Sequence, residues 1–414
     1  MTERLNAMSV ELETITPLWM GGAAYQPELR PPSFRGVLRY WLRALLGGML
    51  GEDLGSLRAA EAAVLGDTQR ASPLVVRIDG EEPRVGSAGV SAEEWPGVAY
   101  MFWSTYQRRR DAILPGETFD LQVLRRVWDF RPVEVNHAPL GEDEVFYLFS
   151  AALWLLLRLG GAGARQRRCA GGMQATASPA GWPANLPSPV IQASTPGELA
   201  GELSEGLRSI RGGLTWPEKT PSAPSSYDIL HPNACRILVV DQVFPTWWEA
   251  TEWVGRQLQE FRRSHRGDAS AIAELLTRGR ITATAIQRAV LGLPLVFFFK
   301  SIFETLTQGG TPAKEARRKA TASVVPQGRL GRASPLRVRV VRLAGEPPRF
   351  AVTMTLFRSR FLPDRQMTIR PQDRSIRPVR VNVPENHALI DNWFDFLRAE
   401  GAELQSVVFD GEDS

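Results

Sequence analysis

Arginine is the residue type that could do chemistry in this chain, and it gathers at three places. In RPPSFRGVLRYWLR (Arg30–Arg43), Arg35, Arg39 and Arg43 recur every fourth residue and would share one flank of a helix that begins after Ser33. Three guanidiniums in line near free helix amides suit several backbone phosphates, with Arg30 and Ser33 at the mouth and Gly36 leaving room for close approach. The competing reading is an ion-paired face, yet no acid stands four residues away on that flank. The second place is GGAGARQRRCAGGM (Gly160–Met173), where Gly160, Gly161, Gly163, Gly171 and Gly172 surround Arg165, Arg167 and Arg168; glycine exposes backbone amides to a polyanion while arginine supplies charge. The third is GRASPLRVR (Gly331–Arg339), where Arg332 and Ser334 precede a strand whose Arg337 and Arg339 would share an exposed face. That face could track a phosphate backbone or simply be the wet side of a sheet.

Other chemistries find weaker support. The four histidines (His137, His231, His265, His387) form no HxxxH or HExxH, and Cys169 and Cys235 form no CxxC, so no metal site and no disulfide framework is predicted. Asp228 and Asp241 flank a strand, but nothing in the sequence brings them together on a metal. Metal-independent RNA cleavage would need a general base near a ribose hydroxyl. His137, beside Asn136 in a predicted loop, is the best candidate, and His231 the next. The glycine-arginine loop lacks the Lys-Ser or Lys-Thr of a phosphate-binding P-loop, and no GxGxxG follows a strand. No cofactor is expected.

The charge balance agrees with a phosphate-bearing partner. Of 414 residues, 49 are basic and 45 acidic, and only four of the basic ones are lysine, leaving 45 arginines. Residues 385–414 hold eight acids against Arg398 alone, a local −7 that leaves +11 on the first 384 residues. Guanidinium offers planar, bidentate, permanently charged recognition of phosphate. A GC-rich genome also favours arginine codons, so the count by itself does not decide. The apolar runs Phe149–Leu157 and Leu291–Phe299 are too short to span a bilayer, and the polar Thr2–Ala7 does not open a signal peptide; a cytoplasmic protein is expected.

The elements that must position these arginines follow from periodicity. Strands are predicted at Val10–Ile15, Pro73–Ile78 and Glu117–Leu124, and helices from Ser33 to about Leu46, stopped by Gly47 and Gly48, and from Glu142 to Leu159. Phe34, Leu38, Trp41 and Leu45 form the first helix's core stripe. Residues 160–230 read as loop and linker. Beyond them come a strand in Arg236–Phe244, a helix over Trp247–Arg263, a short helix near Ala271–Leu276, a basic helix at Lys314–Lys319, a hairpin of Leu336–Leu343 with Phe350–Phe357, a helix near Glu385–Glu400 and a strand at Leu404–Phe409. The second half repeats the coarse order of the first. The fold expected is α+β, with two tandem ferredoxin-like (RRM-like) domains at 1–175 and 231–414 and a linker or insertion at 176–230.

Taken in order, TPLWMGG, RPPSFRGVLRYWLRAL, EAAVLG, ASPLVVRI, GAGARQRR, LGLP and RASPL resemble the RAMP subunits of type III-B CRISPR effector (Cmr) complexes, and among these the first-numbered subunit. The resemblance spans about residues 10–400, and the RxPSxxGxxRxWxR pattern with the glycine-arginine loop is specific to RAMP proteins. It implies a non-catalytic subunit at the head of a ribonucleoprotein, holding the crRNA 3′ region paired to target RNA beside other RAMP subunits. Family loops commonly read GARxRRGxG; here Cys169 and Ala170 stand between Arg168 and Gly171. The alternative is a RAMP endoribonuclease using a loop histidine. In such enzymes the glycine-rich loop lies near the C-terminus, an end that here is acidic. Trp19, Tyr25 and Trp41 are the aromatic residues on which bases could stack.

Overall fold

The structure, a computed structural model, describes residues 6–22, 26–126, 130, 132–135, 138–214, 216, 219–327, 331–362, 366–384 and 388–409. In chain order the first half runs β1 (Asn6–Thr14), α1 (Pro31–Leu50), α2 (Leu54–Leu65), β2 (Leu74–Asp79), β3 (Val85–Gly86), α3 (Pro96–Met101), α4 (Trp103–Gln107), β4 (Ala112–Ile113), β5 (Thr118–Arg125), β6 (Val133–Val135), β7 (Ala138–Leu140), α5 (Glu142–Leu159), β8 (Met173–Ala175) and α6 (Pro196–Gly212). The second half runs β9 (Cys235–Val240), α7 (Trp247–Ser264), α8 (Arg266–Arg278), β10 (Leu295–Phe298), α9 (Lys300–Gln308), α10 (Ala313–Lys319), β11 (Thr321–Pro326), β12 (Leu336–Arg342), β13 (Phe350–Phe357), β14 (Gln366–Pro371), β15 (Val379–Asn382), α11 (Ala388–Ala399) and β16 (Leu404–Ser406).

The chain divides into two compact units. Unit 1 comprises Met1–Arg256, Arg337–Ser359 and Gly401–Ser414, and unit 2 comprises Gln257–Leu336 and Arg360–Glu400. Unit 1 carries the sheets ordered β2-β5-β1-β8 and β12-β13-β9-β16. Each sheet has one order when its strands are counted along the chain: second, third, first, fourth. In the first sheet β1 pairs antiparallel with both β5 and β8, and β2 with β5. The core of this unit holds Val10 and Leu12 of β1 and the expected stripe of α1, with Phe34, Leu38, Trp41 and Leu45 at 0–2% exposure. Each such side chain contributes roughly 1.5–3 kcal/mol by leaving water, which fixes α1 against the sheet. Helix α5 is buried from Val145 to Leu159, as its apolar sequence requires.

Unit 2 has its own antiparallel sheet, β10-β11-β14-β15, over a core that includes Ile272, Leu275, Val324, Met367 and Ile369. The hairpin strands and the terminal strand β16, grouped by sequence with a separate C-terminal domain, thus stand in unit 1.

Several expectations change. Ser33 does not cap α1: the helix starts at Pro31, whose fixed φ suits a first turn, and Arg30 is the capping residue without a side-chain bond. Gly47 and Gly48 do not stop it, because the helix runs to Leu50 and turns at Gly51, φ +61°. Those two glycines instead let the 227–230 segment lie on the helix; a Cβ on Gly48 would sit 2.3 Å from the Leu230 carbonyl oxygen, and the Leu230 amide donates to the Ala44 carbonyl at 2.9 Å. The 176–230 segment is not all linker. Thr195 accepts from the Glu198 amide to start α6, and Leu199, Leu203, Leu207 and Ile210 enter the unit 1 core. Finally, Arg337 and Arg339 do not face water: both are 3% exposed, because side chains cover both faces of β12.

Candidate nucleic-acid interface

The first-helix arginines meet α2, a helix unread in the sequence. Asp53 caps α2 by accepting from the Gly55 and Ser56 amides, and its Glu61 is buried against α1. Arg39 and Arg43 both ion-pair with Glu61. The acid absent from the α1 flank therefore comes from a neighbouring helix. Burial pushes the Glu61 carboxyl up, but hydrogen bonds from Arg43 and Arg39 outweigh it and hold the group below its ordinary range. Arg35 donates to the Leu65 carbonyl at 2.6 Å and Arg39 to the Gly66 carbonyl at 2.9 Å, so both satisfy orphan acceptors at the α2 C-terminus.

This arrangement leaves a basic groove. Arg35, Arg39, Arg70 and Arg126 line it, and the Leu65–Ser72 turn forms its floor. Gly66 holds the turn with φ +70°; a Cβ there would lie 2.6 Å from the Ser72 amide. Arg126 is tied in by donating to the Ser72 carbonyl at 3.0 Å. Burial first, then the neighbouring charges of Arg39 and Arg126, pull the Arg35 guanidinium below its usual value. The acid of the lining is Asp67, whose carboxylate accepts from the Gln69 and Arg70 amides at 2.8 and 2.7 Å. Gly36 is exposed, with open space where a Cβ would be. Arg43 does not line the groove.

The glycine-arginine loop is packed rather than free. Gly163 takes φ +76° and Gly171 φ +66°, and a Cβ on Gly171 would stand 1.9 Å from the Ala162 carbonyl oxygen. A Cβ on Gly161 would meet the Ala170 carbonyl oxygen at 2.9 Å. The inserted Cys169 is accommodated at φ +65° and buried, which pushes its thiol up to about 12. Arg165 donates to the Ser104 hydroxyl at 2.8 Å, and Arg168 lies 6.0 Å from the Tyr100 ring centre.

Arg167 joins a cluster that no local pattern in the chain announces. Its guanidinium stands 3.5 Å from Asp228 and 5.3 Å from the centre of the Tyr40 ring. The Tyr40 hydroxyl donates to Asp228 at 2.8 Å, Ser359 donates to the other Asp228 oxygen at 2.6 Å, and Arg337 donates to the Tyr40 hydroxyl at 3.2 Å. Burial drives the Tyr40 phenol well above its ordinary value. Helix α1, the glycine-arginine loop, the segment before β9 and both ends of the 337–359 segment are tied together here. Arg339 plays a similar part at α5, donating to the Gly160 carbonyl and, at 2.6 Å, to the Met173 carbonyl. Burial, followed by the charge of Arg158, pushes its guanidinium down to about 9.

In unit 2, Arg332 donates to the Phe361 carbonyl at 3.0 Å, and Ser334 accepts from the Leu336 amide at 3.2 Å, so both hold the turn before β12. Arg30 reaches the Gly21 carbonyl at 3.4 Å. Among the catalytic candidates, His137 and Asn136 lie outside the described residues. His231 is buried, its Nδ1 accepting from the Asn233 amide. Asp228 is bound as above, and Asp241 accepts from Gln405 at 2.7 Å. Among the described residues no group of three or more His, Cys, Asp or Glu could hold a metal ion. Trp19 and Trp41 are buried, and Tyr25 lies outside the described residues.

Three comparisons bear on this geometry. The RAMP superfamily profile matches residues 11–173. Over 174 residues, 40% of this chain and 92% of the relative, the sequence is 32% identical to CRISPR system Cmr subunit Cmr1-2 of Pyrococcus furiosus. Among solved structures, the fold is similar to apo Cmr1 from Pyrococcus furiosus, with TM-score 0.55 and 20% identity over 97% of this chain and 98% of that one. It is also similar to a chain of a type III-B Cmr-beta complex bound to cognate target RNA and AMPPnP in the presence of ssDNA, with TM-score 0.50 and 12% identity over 86% and 96% of the two chains.

Proposed function

The chain belongs to the RAMP superfamily, with the Cmr1 subunits of type III-B CRISPR systems, and from that premise we propose that it binds crRNA and target RNA without cutting them. In this reading it holds the 3′ region of the guide and the paired target at the head of the complex, against other RAMP subunits. The observation that carries the reading is the groove of Arg35, Arg39, Arg70 and Arg126, where like charges crowd around one turn and a single acid lies among the lining residues. Such a surface suits a phosphate backbone, which offers one charge per nucleotide and no demand for base recognition.

The fold part of the reading is tandem ferredoxin-like domains. Both four-stranded sheets of unit 1 have the order second, third, first, fourth, with α1 and α5 placed along the chain around the first set as α7 and α11 are around the second. We place the protein in the cytoplasm; no helix among the described residues is long and apolar enough to cross a membrane. No cofactor enters the reading.

The test is purification of the tagged full chain from cells carrying its complex. A short guide RNA and further Cmr subunits should accompany it, and the purified chain alone should leave labelled RNA uncut with or without divalent metal. Absence of guide RNA would overturn the binding role. Cleavage abolished by His137→Ala would establish the endoribonuclease instead.

A further inference from the structure

The sequence offered Trp19, Tyr25 and Trp41 for base stacking, yet both tryptophans are core residues. Among the described residues of unit 1 an exposed aromatic surface lies elsewhere, in the YMFWSTYQRRR segment (Tyr100–Arg110). Its apolar side is anchored: Met101 and Phe102 are buried, Phe102 packs edge-on against Trp19 at 4.9 Å, and the Trp19 indole donates to the Arg110 carbonyl at 3.0 Å. Its other side faces water. Trp103 is 56% exposed, with its ring centre 6.4 Å from that of half-buried Tyr106. Arg108, Arg109 and Arg110 follow at once, all exposed, in a tight turn that puts Arg109 at φ 46°.

We propose that Trp103 and Tyr106, flanked by Arg108–Arg110 and by Arg165 and Arg168 of the glycine-arginine loop, form a stacking platform for unpaired nucleotides. The proposal rests on the RNA-binding reading and deepens it. The Arg165 bond to Ser104 and the approach of Arg168 to Tyr100 make the loop and this segment one continuous surface. Five arginines against the adjacent acid Asp111 give it the charge of a phosphate partner, and its aromatic rings give every base a π-face to stack on. From Ser104 to Asp111 every side chain is polar, charged or aromatic. Single strands are favoured because bases inside a duplex are already stacked on one another. A rigid buried underside and a wet aromatic top make a platform whose geometry precedes its ligand.

Anisotropy of the full chain with a labelled single-stranded oligouridine and with an RNA duplex of equal length tests this. Trp103→Ala with Tyr106→Ala should weaken single-strand binding by about tenfold or more, as expected for removal of one stacked base, while duplex affinity and the salt slope stay unchanged. Trp103→Phe should retain most of the affinity. Arg108→Gln with Arg109→Gln and Arg110→Gln should weaken both ligands and flatten the salt slope. Single-strand affinity within twofold of the parent in the aromatic double variant overturns the platform and leaves the RNA-binding reading standing. A parent chain that binds neither RNA overturns both. A double variant that keeps its RNA affinity but loses another Cmr subunit makes this surface a protein-binding one, which also overturns the platform.

Discussion

Arg339 and Arg35 do the same local job in different surroundings. Each guanidinium donates to carbonyl oxygens at the C-terminal end of a helix, Arg339 at Gly160 after α5 and Arg35 at Leu65 of α2. Cations are favoured there by the orphan carbonyls and the helix dipole. Arg339 is sealed in the core, where its two terminal nitrogens donate to backbone carbonyls and none of it faces a groove. Arg35 stands at the edge of an open groove beside Arg39 and Arg126, where its charge can also meet a ligand. Burial, rather than residue type or spacing, separates an arginine enclosed in the core from one that still faces an open groove.

That contrast can be broken by substitution. Arg339→Met should cost about 3 kcal/mol of stability by stranding two buried carbonyls. Thermal melting would show it, and RNA affinity of the folded fraction should not move. Tyr40→Phe removes the hydroxyl between Arg337 and Asp228 and should cost about 2 kcal/mol, read the same way. Glu61→Gln should cost roughly 1 kcal/mol at neutral pH, and its pH dependence has a defined sign. The folded-state carboxyl lies below its unfolded value, so its contribution is complete above the ordinary value of about 4.3 and disappears as pH falls through the lowered one. The gap between wild-type and Glu61→Gln melting temperatures should therefore close as pH falls from 7 toward 3. Arg43→Gln is the smallest case: half-exposed, paired to Glu61 and off the groove, it should change RNA affinity by less than about twofold.

Much of the scaffold was legible in the sequence because its periodicity is strong. The α1 stripe, the whole of α5 and the hairpin strands stand where spacing put them. What failed was partner identity. Glu61 sits 18 residues beyond Arg43 on a helix that was not read, although Asp53 before Leu57, Ala60 and Val64 and then Gly66 was a start, a stripe and a stop. Helix α6 was hidden by its Gly- and Pro-rich surroundings, despite Thr195 and Glu198 forming a capping pair. Arg337 and Arg339 alternate as an exposed strand would; only the tertiary structure shows a second layer over that face. The Tyr40–Asp228–Ser359 cluster joins residues up to 319 positions apart, beyond the reach of any local pattern.

The central claim is that the arginines lining the groove neutralise RNA phosphates. It is tested most directly by titrating salt against RNA affinity for the wild-type chain and for Arg35→Gln with Arg70→Gln and Arg126→Gln. The account predicts that the variant's slope of log affinity against log salt falls by about two to three, near 0.7–0.9 for each phosphate that is no longer neutralised. An unchanged slope in a folded variant would contradict it.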